Sequence, residues 1–315
     1  MFKNNNSIIP EFTEGICCPA CASTNTKQEL ECTIREEEIN LINNIYKHLN
    51  SKEKVSNFYD SKIQICLCLR CKLRYHKNIP DEKTLSYVYS ELIDENLSFE
   101  KYKSKENFTI RKSITLLSRL KKIIQSNTKN NINYLDFGFG WGPMLKASKH
   151  LKLIPYGIEQ NIKQIDLMKK QGIKTYQKIN NLENNEKELK KFSIITLNQV
   201  LEHLTNPNEI LYDLSKICKK KSILYIAVPP YISKKNIKKN DLFKKGPIQP
   251  FEHINCFSRK SMELLAKNTN WQLLTFKIFV KRFFYLSKNY NIFIILIVII
   301  RQLINRGTYY LIPKI

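Results

Sequence analysis

The sequence predicts an α/β protein in which an open, mainly parallel sheet carries helices on its faces and follows a small cysteine-rich module. Three observations predict this fold class. Short apolar runs alternate with amphipathic helical segments from residue 106 onwards, a glycine-rich turn follows the first of these runs, and two Cys-x-x-Cys pairs precede them. With 315 residues the chain can hold one ordinary α/β domain and a smaller companion.

The composition sets limits on compartment and partners. A net charge of +24 would suit a polyanionic partner, but the lysines are spread along the chain without interleaved aromatic residues, which makes nucleic acid a weak candidate. Residues 1–10 are polar and resemble no secretory signal. Nine cysteines, an odd number and partly in close pairs, favour a reducing compartment with metal binding over a disulfide framework. We therefore expect a cytoplasmic protein.

The glycine-rich turn is the segment around which the predicted sheet is organised. The run 134–137 predicts a buried strand, and Pro143 suits the first turn of a helix, where its missing N–H costs nothing. The dinucleotide-binding fingerprint fails because Pro143 stands where that pattern needs glycine or alanine. The remaining pattern is Asp-x-Gly-x-Gly-x-Gly, formed by Asp136, Gly138, Gly140 and Gly142.

This pattern resembles the first motif of class I S-adenosylmethionine (SAM)-dependent methyltransferases of type 11/23. The resemblance implies a Rossmann-like, seven-stranded sheet, with SAM as cofactor and the glycine turn around its amino-acid end. A purely structural turn is the alternative. Glu159 ends the predicted second strand, 155–159, where a carboxylate can accept both ribose hydroxyls of an adenosine. A solvated strand-end glutamate is the alternative for that residue.

The fourth predicted strand, 192–197, is followed by Asn198, Gln199 and a Val-Leu-Glu-His-Leu stretch at 200–204 that resembles the corresponding family motif. The resemblance places Asn198 and Gln199 beside the methionine part of SAM. It leaves His203 either lining the active site or merely capping and packing.

A second resemblance concerns Glu252 and His253, which stand in a segment similar to one in sugar C-methyltransferases. In that family the Glu-His pair is associated with substrate deprotonation, which makes His253 the predicted base, with Glu252 beside it and His203 as a further candidate. Phe251 stands where the family has a tyrosine. An ordering role for His253 in its loop is the alternative. Residues 233–249 are expected to form a lid on the substrate side.

The two cysteine pairs predict a structural metal site. Two Cys-x-x-Cys knuckles supply four thiolates, which close a tetrahedral zinc shell. An inserted helix over 36–49 fills the stretch between them, and the arrangement resembles the N-terminal zinc module of some sugar and small-molecule methyltransferases. A redox pair and chance cysteines are the alternatives, and Cys17 and Cys66 are alternates or bystanders. The predicted ligands are Cys18, Cys21, Cys68 and Cys71.

The end of the chain is interpreted as strands followed by an apolar tail. Sixth and seventh strands are expected at 271–280 and 283–286, and 292–300 is an unbroken apolar run. A spanning helix needs about 20 residues, so this run is too short to cross a bilayer. Packing on the core, a dimer contact and peripheral membrane contact all remain open. The predicted domains are thus 1–105 (zinc module), 106–290 (methyltransferase) and 291–315 (tail).

These observations predict an enzyme that transfers the SAM methyl group to a small-molecule acceptor. By resemblance the acceptor is a sugar, either nucleotide-linked or part of a surface glycan, which places the protein in polysaccharide biosynthesis. Carbon, oxygen and nitrogen acceptors remain open. The alternatives are an RNA methyltransferase that uses the lysines for binding and a non-catalytic SAM-fold adaptor.

Overall fold

The computed structural model describes residues 9–45, 52–124, 132–185, 191–244, 246–275, 300 and 307–314. The elements of the first third are, in order, β1 (Phe12–Glu14), β2 (Thr26–Thr33), α1 (Glu36–Ile45), α2 (Lys52–Ser56), β3 (Lys62–Cys68), β4 (Arg74–His76), β5 (Asn78–Pro80), α3 (Glu82–Tyr87), a π-helical turn (Val88–Leu92) and α4 (Glu95–Lys103).

The remaining elements are α5 (Glu106–Ile124), β6 (Asn133–Phe137), α6 (Pro143–His150), β7 (Ile154–Ile158), α7 (Ile162–Lys169), β8 (Lys174–Tyr176), α8 (Ile179–Asn185), β9 (Phe192–Asn198), a 3-10 turn (Leu201–His203), α9 (Pro207–Ile217), β10 (Cys218–Ala227), α10 (Lys239–Leu242), β11 (Asn255–Cys256), α11 (Arg259–Asn268), β12 (Trp271–Leu273) and β13 (Thr308–Pro313).

The chain divides into two units that are not contiguous in sequence. The first unit comprises Met1–Lys101, Glu202–Thr205 and Pro229–Ser261, and the second comprises Tyr102–Leu201, Asn206–Val228 and Met262–Ile315. This division differs from the predicted contiguous domains, because two later segments of the chain return to the N-terminal unit.

The first unit is built on a four-stranded antiparallel sheet in the order β11-β4-β3-β2. Helix α1 forms within the predicted 36–49 segment and buries Ile39 and Ile42, while Leu49 lies outside the described residues. The apolar spacing in α1 thus gives the helix one face for the core of this unit.

The segment 229–261 belongs to the first unit, and part of the stretch 233–249, which the sequence predicts as a substrate-side lid, packs into the core of that unit. Ile237 and Leu242 are buried in the apolar core of that unit, and Phe251 packs against Phe58 with ring centroids 4.1 Å apart. Strand β11 then pairs with β4. The apolar residues among the lysines decide this outcome, since they need a core to cover them.

The second unit carries a seven-stranded sheet in the order β12-β13-β10-β9-β6-β7-β8. The five strands from β10 to β8 are parallel, and β13 runs antiparallel to both β10 and β12. This is the Rossmann-like methyltransferase sheet that the sequence predicts. Strands β6 and β9 are almost wholly buried, as is β10 after Lys221, because helices cover parallel sheets on both faces.

The seventh strand lies further along the chain than predicted. Strand β13 occupies Thr308–Pro313, so these residues belong to the sheet and not to a separate tail. The run 283–286, and the apolar run 292–300 apart from Ile300, lie outside the described residues. Among the helices that the structure describes, none is both long and apolar enough to cross a bilayer.

Candidate functional site

The glycine turn between β6 and α6 contains three residues with left-handed backbone geometry. Gly138, Gly140 and Gly142 have φ values of 71°, 54° and 73°. Residues with a Cβ rarely adopt this conformation, so the turn itself requires glycine. Two hydrogen bonds hold the turn, from the Gly138 N–H to the Ile158 carbonyl (2.8 Å) and from the Gly142 N–H to the Phe139 carbonyl (2.9 Å).

The three glycines differ in what surrounds them. A Cβ added at Gly138 would lie 2.4 Å from Val200 Cγ2, and one at Gly142 would lie 2.3 Å from Met168 Sδ. A Cβ at Gly140 would meet no atom of the described residues within 4 Å. Gly140 is therefore the position at which the turn leaves room for a ligand beside its backbone.

The carboxylate of Glu159 lies against this open position. Its Oε2 accepts the Gly140 N–H at 3.0 Å, and its Oε1 accepts the N–H groups of Gln160 (2.8 Å) and Asn161 (3.3 Å). Glu159 directly follows β7, and β7 pairs with β6. The two predicted cofactor groups thus meet at neighbouring strand ends, where an open parallel sheet binds its ligands.

Asp136 lies deeper than the rest of the motif. It is buried on β6, and its Oδ1 accepts the Thr196 hydroxyl from β9 at 2.6 Å, while the hydroxyls of Tyr134 and Thr196 are 2.8 Å apart. Burial raises the pKa of Asp136 to about 7. These contacts tie β6 to β9 and fix the strand from which the glycine turn leaves.

Asn198 and Gln199 are exposed at the carboxyl end of β9. Gln199 has a left-handed φ of 57°, and its N–H is bonded to the Ala227 carbonyl at 2.7 Å. This bond turns the chain at the strand end and leaves both side chains on the surface of the second unit.

The four predicted metal ligands come together in the first unit. Cys18, Cys21, Cys68 and Cys71 are buried, with their sulfur atoms within 4.8 Å of one another. The Cys18–Cys71 and Cys21–Cys68 sulfur pairs are 3.5 Å and 3.6 Å apart. Tetrahedral zinc with bonds of about 2.3 Å needs sulfur atoms ~3.8 Å apart, which is close to these values.

The backbone of the two knuckles is equivalent. A non-glycine residue with left-handed φ directly follows the second cysteine of each pair, namely Ala22 (54°) and Lys72 (63°). None of the nine cysteines, all of which lie in the described residues, forms a disulfide bond. Cys17 and Cys66 stay outside the group of four. The donor set thus fits a closed, four-thiolate cation site.

The predicted catalytic histidines also meet within the first unit. The rings of His203 and His253 are edge to face with centroids 4.8 Å apart. The Glu202 carboxylate lies close to both rings, and one possible metal-ligand atom of each of the three residues is within 4.8 Å of the others. Glu252 is not part of this group. Sequence reasoning passed over Glu202, although it precedes His203 in the same motif.

Burial governs the ionisation of this group. It lowers the pKa of His203 to about 3, with a smaller effect of the neighbouring His253, and it lowers the pKa of His253 below its usual value. It also raises the pKa of Glu202 to about 8. His76 is likewise buried, on β4, and burial lowers its pKa to about 4. Neutral imidazoles of this kind can accept a proton or bind a cation.

The sheet order and the glycine turn beside a strand-end carboxylate define a protein of the class I SAM-dependent methyltransferase type. Sequence comparison agrees: the chain belongs to the methyltransferase domain family, whose sequence profile matches residues 106–275, more than half of the chain. The protein is thus a SAM-dependent methyltransferase. No curated protein sequence matches the chain.

The chain also has distant similarity to three solved methyltransferase structures. The plantazolicin methyltransferase BamL, in complex with a triazolic desmethylPZN analog and SAH, is 18% identical, covers 70% of this chain and 90% of its own, and has a TM-score of 0.45. The plantazolicin methyltransferase BpumL with SAH is 19% identical, with coverages of 75% and 91% and a TM-score of 0.43. A SAM-dependent methyltransferase from Archaeoglobus fulgidus is 18% identical, with coverages of 70% and 100% and a TM-score of 0.42. Likenesses this low indicate nothing about the acceptor of this chain.

Proposed function

We propose that this methyltransferase acts on a small-molecule sugar, either nucleotide-linked or part of a surface glycan, in the cytoplasm. Cofactor binding is supported by the open space beside Gly140 and by the Glu159 carboxylate at the adjoining strand end. The sugar acceptor rests on the resemblance of the segment around Glu252 and His253 to sugar C-methyltransferases.

The cofactor contacts follow from the chemistry of SAM. The glycine turn, with Asp136 fixing its strand, would hold the amino-acid end, and Glu159 would accept the ribose hydroxyls. Asn198 and Gln199 would lie on the methyl side. SAM supplies an electrophilic methyl group when bound, so the protein has to align the acceptor with it, exclude water and take up a proton. Alignment alone accounts for large accelerations, with effective molarities of about 10⁵ M or more.

His253 is the proposed base. Its Nδ1 lies 2.7 Å from the Gly246 carbonyl oxygen, which can only accept, so the ring proton resides on Nδ1 and the lone pair on Nε2. Its pKa is lowered by burial, which keeps the imidazole neutral at pH 7. The ring can therefore take a proton from an acceptor hydroxyl or carbon acid. Phe251, which packs in the core, supplies no hydroxyl to this step.

The four-thiolate group is proposed to bind structural zinc. Without a cation the sulfurs compete for protons: the Cys71 hydrogen bond lowers the pKa of Cys18 to about 6, while the Cys18 contact and burial raise that of Cys71. A zinc ion would stabilise all four as thiolates and tie β3 to the loop before β2, with no position left for substrate.

Mass spectrometry of reactions with SAM and a panel of nucleotide sugars tests the acceptor class. A mass gain of one methyl group on a sugar is the expected result, and methylation of none of the panel would refute the sugar assignment. His253→Ala should lower turnover by about 10²–10⁴-fold with the SAM dissociation constant unchanged. The matched control is His150→Ala, an exposed histidine at the end of α6. An unchanged rate in His253→Ala would refute the base.

The net charge of +24 favours one second candidate, methylation of RNA. Such an activity would fall steeply with added salt, because lysine contacts to phosphates release counterions. Methyl transfer to RNA with a steep salt dependence, and none to sugars, would replace the sugar proposal.

A further inference from the structure

Glu202, His203 and His253 form a second group of metal-ligand type in the first unit, separate from the four cysteines. One ligand atom from each of the three lies within 4.8 Å of the others. His203 Nε2 and Glu202 Oε1 are 3.9 Å apart. Two imidazoles and one carboxylate are a common ligand set of sites that bind a divalent transition metal and keep coordination positions open.

The carboxylate of this group is buried without a partner. Glu202 is 0% exposed, and within the described part of the chain neither of its oxygens has a hydrogen-bond partner. An unsatisfied carboxyl group is costly to bury, so a native structure that retains one needs a reason for it. A bound cation would give this carboxylate a partner, which a packing role for Glu202 would not.

The outer nitrogens of both rings already have the partners that metal-binding histidines use. His253 Nδ1 donates to the Gly246 carbonyl oxygen, and His203 Nδ1 lies 3.2 Å from the Tyr89 hydroxyl oxygen. Histidines that bind metals typically hold the second ring N–H in such a contact, which fixes the tautomer and directs the other nitrogen to the ion. His253 can therefore present Nε2 to an ion, and His203 can do so once its ring gives up the hydrogen bond that it makes with the Glu252 backbone.

We propose that Glu202, His203 and His253 bind one divalent first-row transition-metal ion of the Zn²⁺ or Fe²⁺ type. Bonds of about 2.1 Å place ligand atoms ~3.0–3.4 Å apart, so the 3.9 Å contact must shorten by less than 1 Å. The other two separations are at most 4.8 Å and must shorten by less than about 2 Å, so ion binding requires the three side chains to draw together. Three protein ligands leave at least one coordination position for water or for an acceptor oxygen.

This ion would change the role of His253 in methyl transfer. The Nε2 lone pair cannot bind a cation and take up a proton at the same time, so His253 would be the base only in the metal-free chain. In the metal-bound chain it would be a ligand, and the cation would lower the pKa of an oxygen bound in the open position. The inference does not rest on the proposed acceptor, because cation binding is measured without SAM and without substrate.

Metal binding can be measured on the full chain after Zn²⁺ loading and removal of loose metal, followed by titration with Co²⁺ and elemental analysis. The total metal content, Zn²⁺ plus Co²⁺, should be one equivalent per chain higher in the wild type than in Glu202→Gln or His253→Ala. The extra Co²⁺ should show d–d absorption without thiolate charge transfer. His150→Ala should match the wild type. Tyr89→Phe should raise the Co²⁺ dissociation constant by about 10- to 100-fold.

Equal metal content in the wild type, Glu202→Gln and His253→Ala would overturn the proposal, as would Co²⁺ absorption that always carries thiolate charge transfer. Melting temperature and SAM binding of the same samples show that each variant is folded. A chain that binds the extra equivalent yet methylates no sugar would refute the proposed acceptor and leave this inference standing.

Discussion

Replacing single glycines by alanine separates the roles of the glycine turn. At Gly140 and Gly138 the new residue must adopt a left-handed φ, which costs about 1–2 kcal/mol. At Gly138 the added Cβ also comes within 2.4 Å of Val200 Cγ2, and valine is stiff at χ1. Such overpacking typically costs a further 1–3 kcal/mol or so. We therefore expect a loss of about 1–2 kcal/mol for Gly140→Ala and about 2–5 kcal/mol for Gly138→Ala.

Cofactor affinity should follow a different order. The Cβ of Gly140→Ala enters the open space that the cofactor is proposed to occupy. We expect the overpacking cost of about 1–3 kcal/mol to weaken binding by that amount, which raises the SAM dissociation constant by about 5- to 150-fold. Gly172→Ala is the matched control. Gly172 has a φ of 72° and nothing within 4 Å of its added Cβ, but it lies between α7 and β8.

Urea unfolding gives the stabilities, and calorimetric titration with SAM gives the affinities. Gly140→Ala and Gly172→Ala should be about equally stable, and only Gly140→Ala should bind SAM more weakly. Equal SAM affinity in these two variants would refute the cofactor assignment of the turn. A Gly138→Ala variant as stable as Gly140→Ala would refute the contact with Val200.

Three further outcomes are expected. Glu159→Gln should raise the SAM dissociation constant by about 10-fold, as measured by the same titration, because a charge-assisted hydrogen bond contributes about 1.5–3 kcal/mol; unchanged affinity would contradict the ribose role. Cys68→Ser should lose the zinc that elemental analysis finds in the wild type, whereas Cys66→Ser, equally buried on β3, should keep it. The hydrogen bond from Lys146 lowers the pKa of Glu106 from 4.5 to about 2. The ionised Glu106 therefore stabilises the folded protein fully above pH 4.5, and this contribution is lost as the pH falls towards 2. Unfolding free energies over that range should fall by about 1–3 kcal/mol more in the wild type than in Glu106→Gln, and parallel curves would contradict the ion pair.

The central strands and the glycine turn were predictable because their causes are local. A short, mainly apolar run, glycines at alternate positions and a proline at the helix start determine β6, its turn and α6 within about 20 residues or fewer. The same holds for the strand-end position of Glu159. The two cysteine knuckles were predictable for a similar reason, since each pair is closed by its own short loop.

Glu202 shows where local reasoning fails. Neither its residue type nor its place in the motif around 200–204 marks Glu202 as a candidate site residue. What marks it is its burial without a hydrogen-bond partner beside two histidines, and one of these is distant in sequence. The packing of 233–249 was not predictable for a related reason. Its lysine content drew attention away from the few apolar side chains that join the core of the first unit.

The sequence alone therefore determined the methyltransferase sheet from β6 to β10, the glycine turn and the cysteine pairs, because each depends on residues that are neighbours along the chain. Only the tertiary structure decided that 202–205 and 229–261 join the N-terminal unit, that Thr308–Pro313 is the inserted antiparallel strand, and that Glu202 meets two histidines. These pairings join residues far apart in sequence, and the burial of apolar surface that selects them has no local pattern.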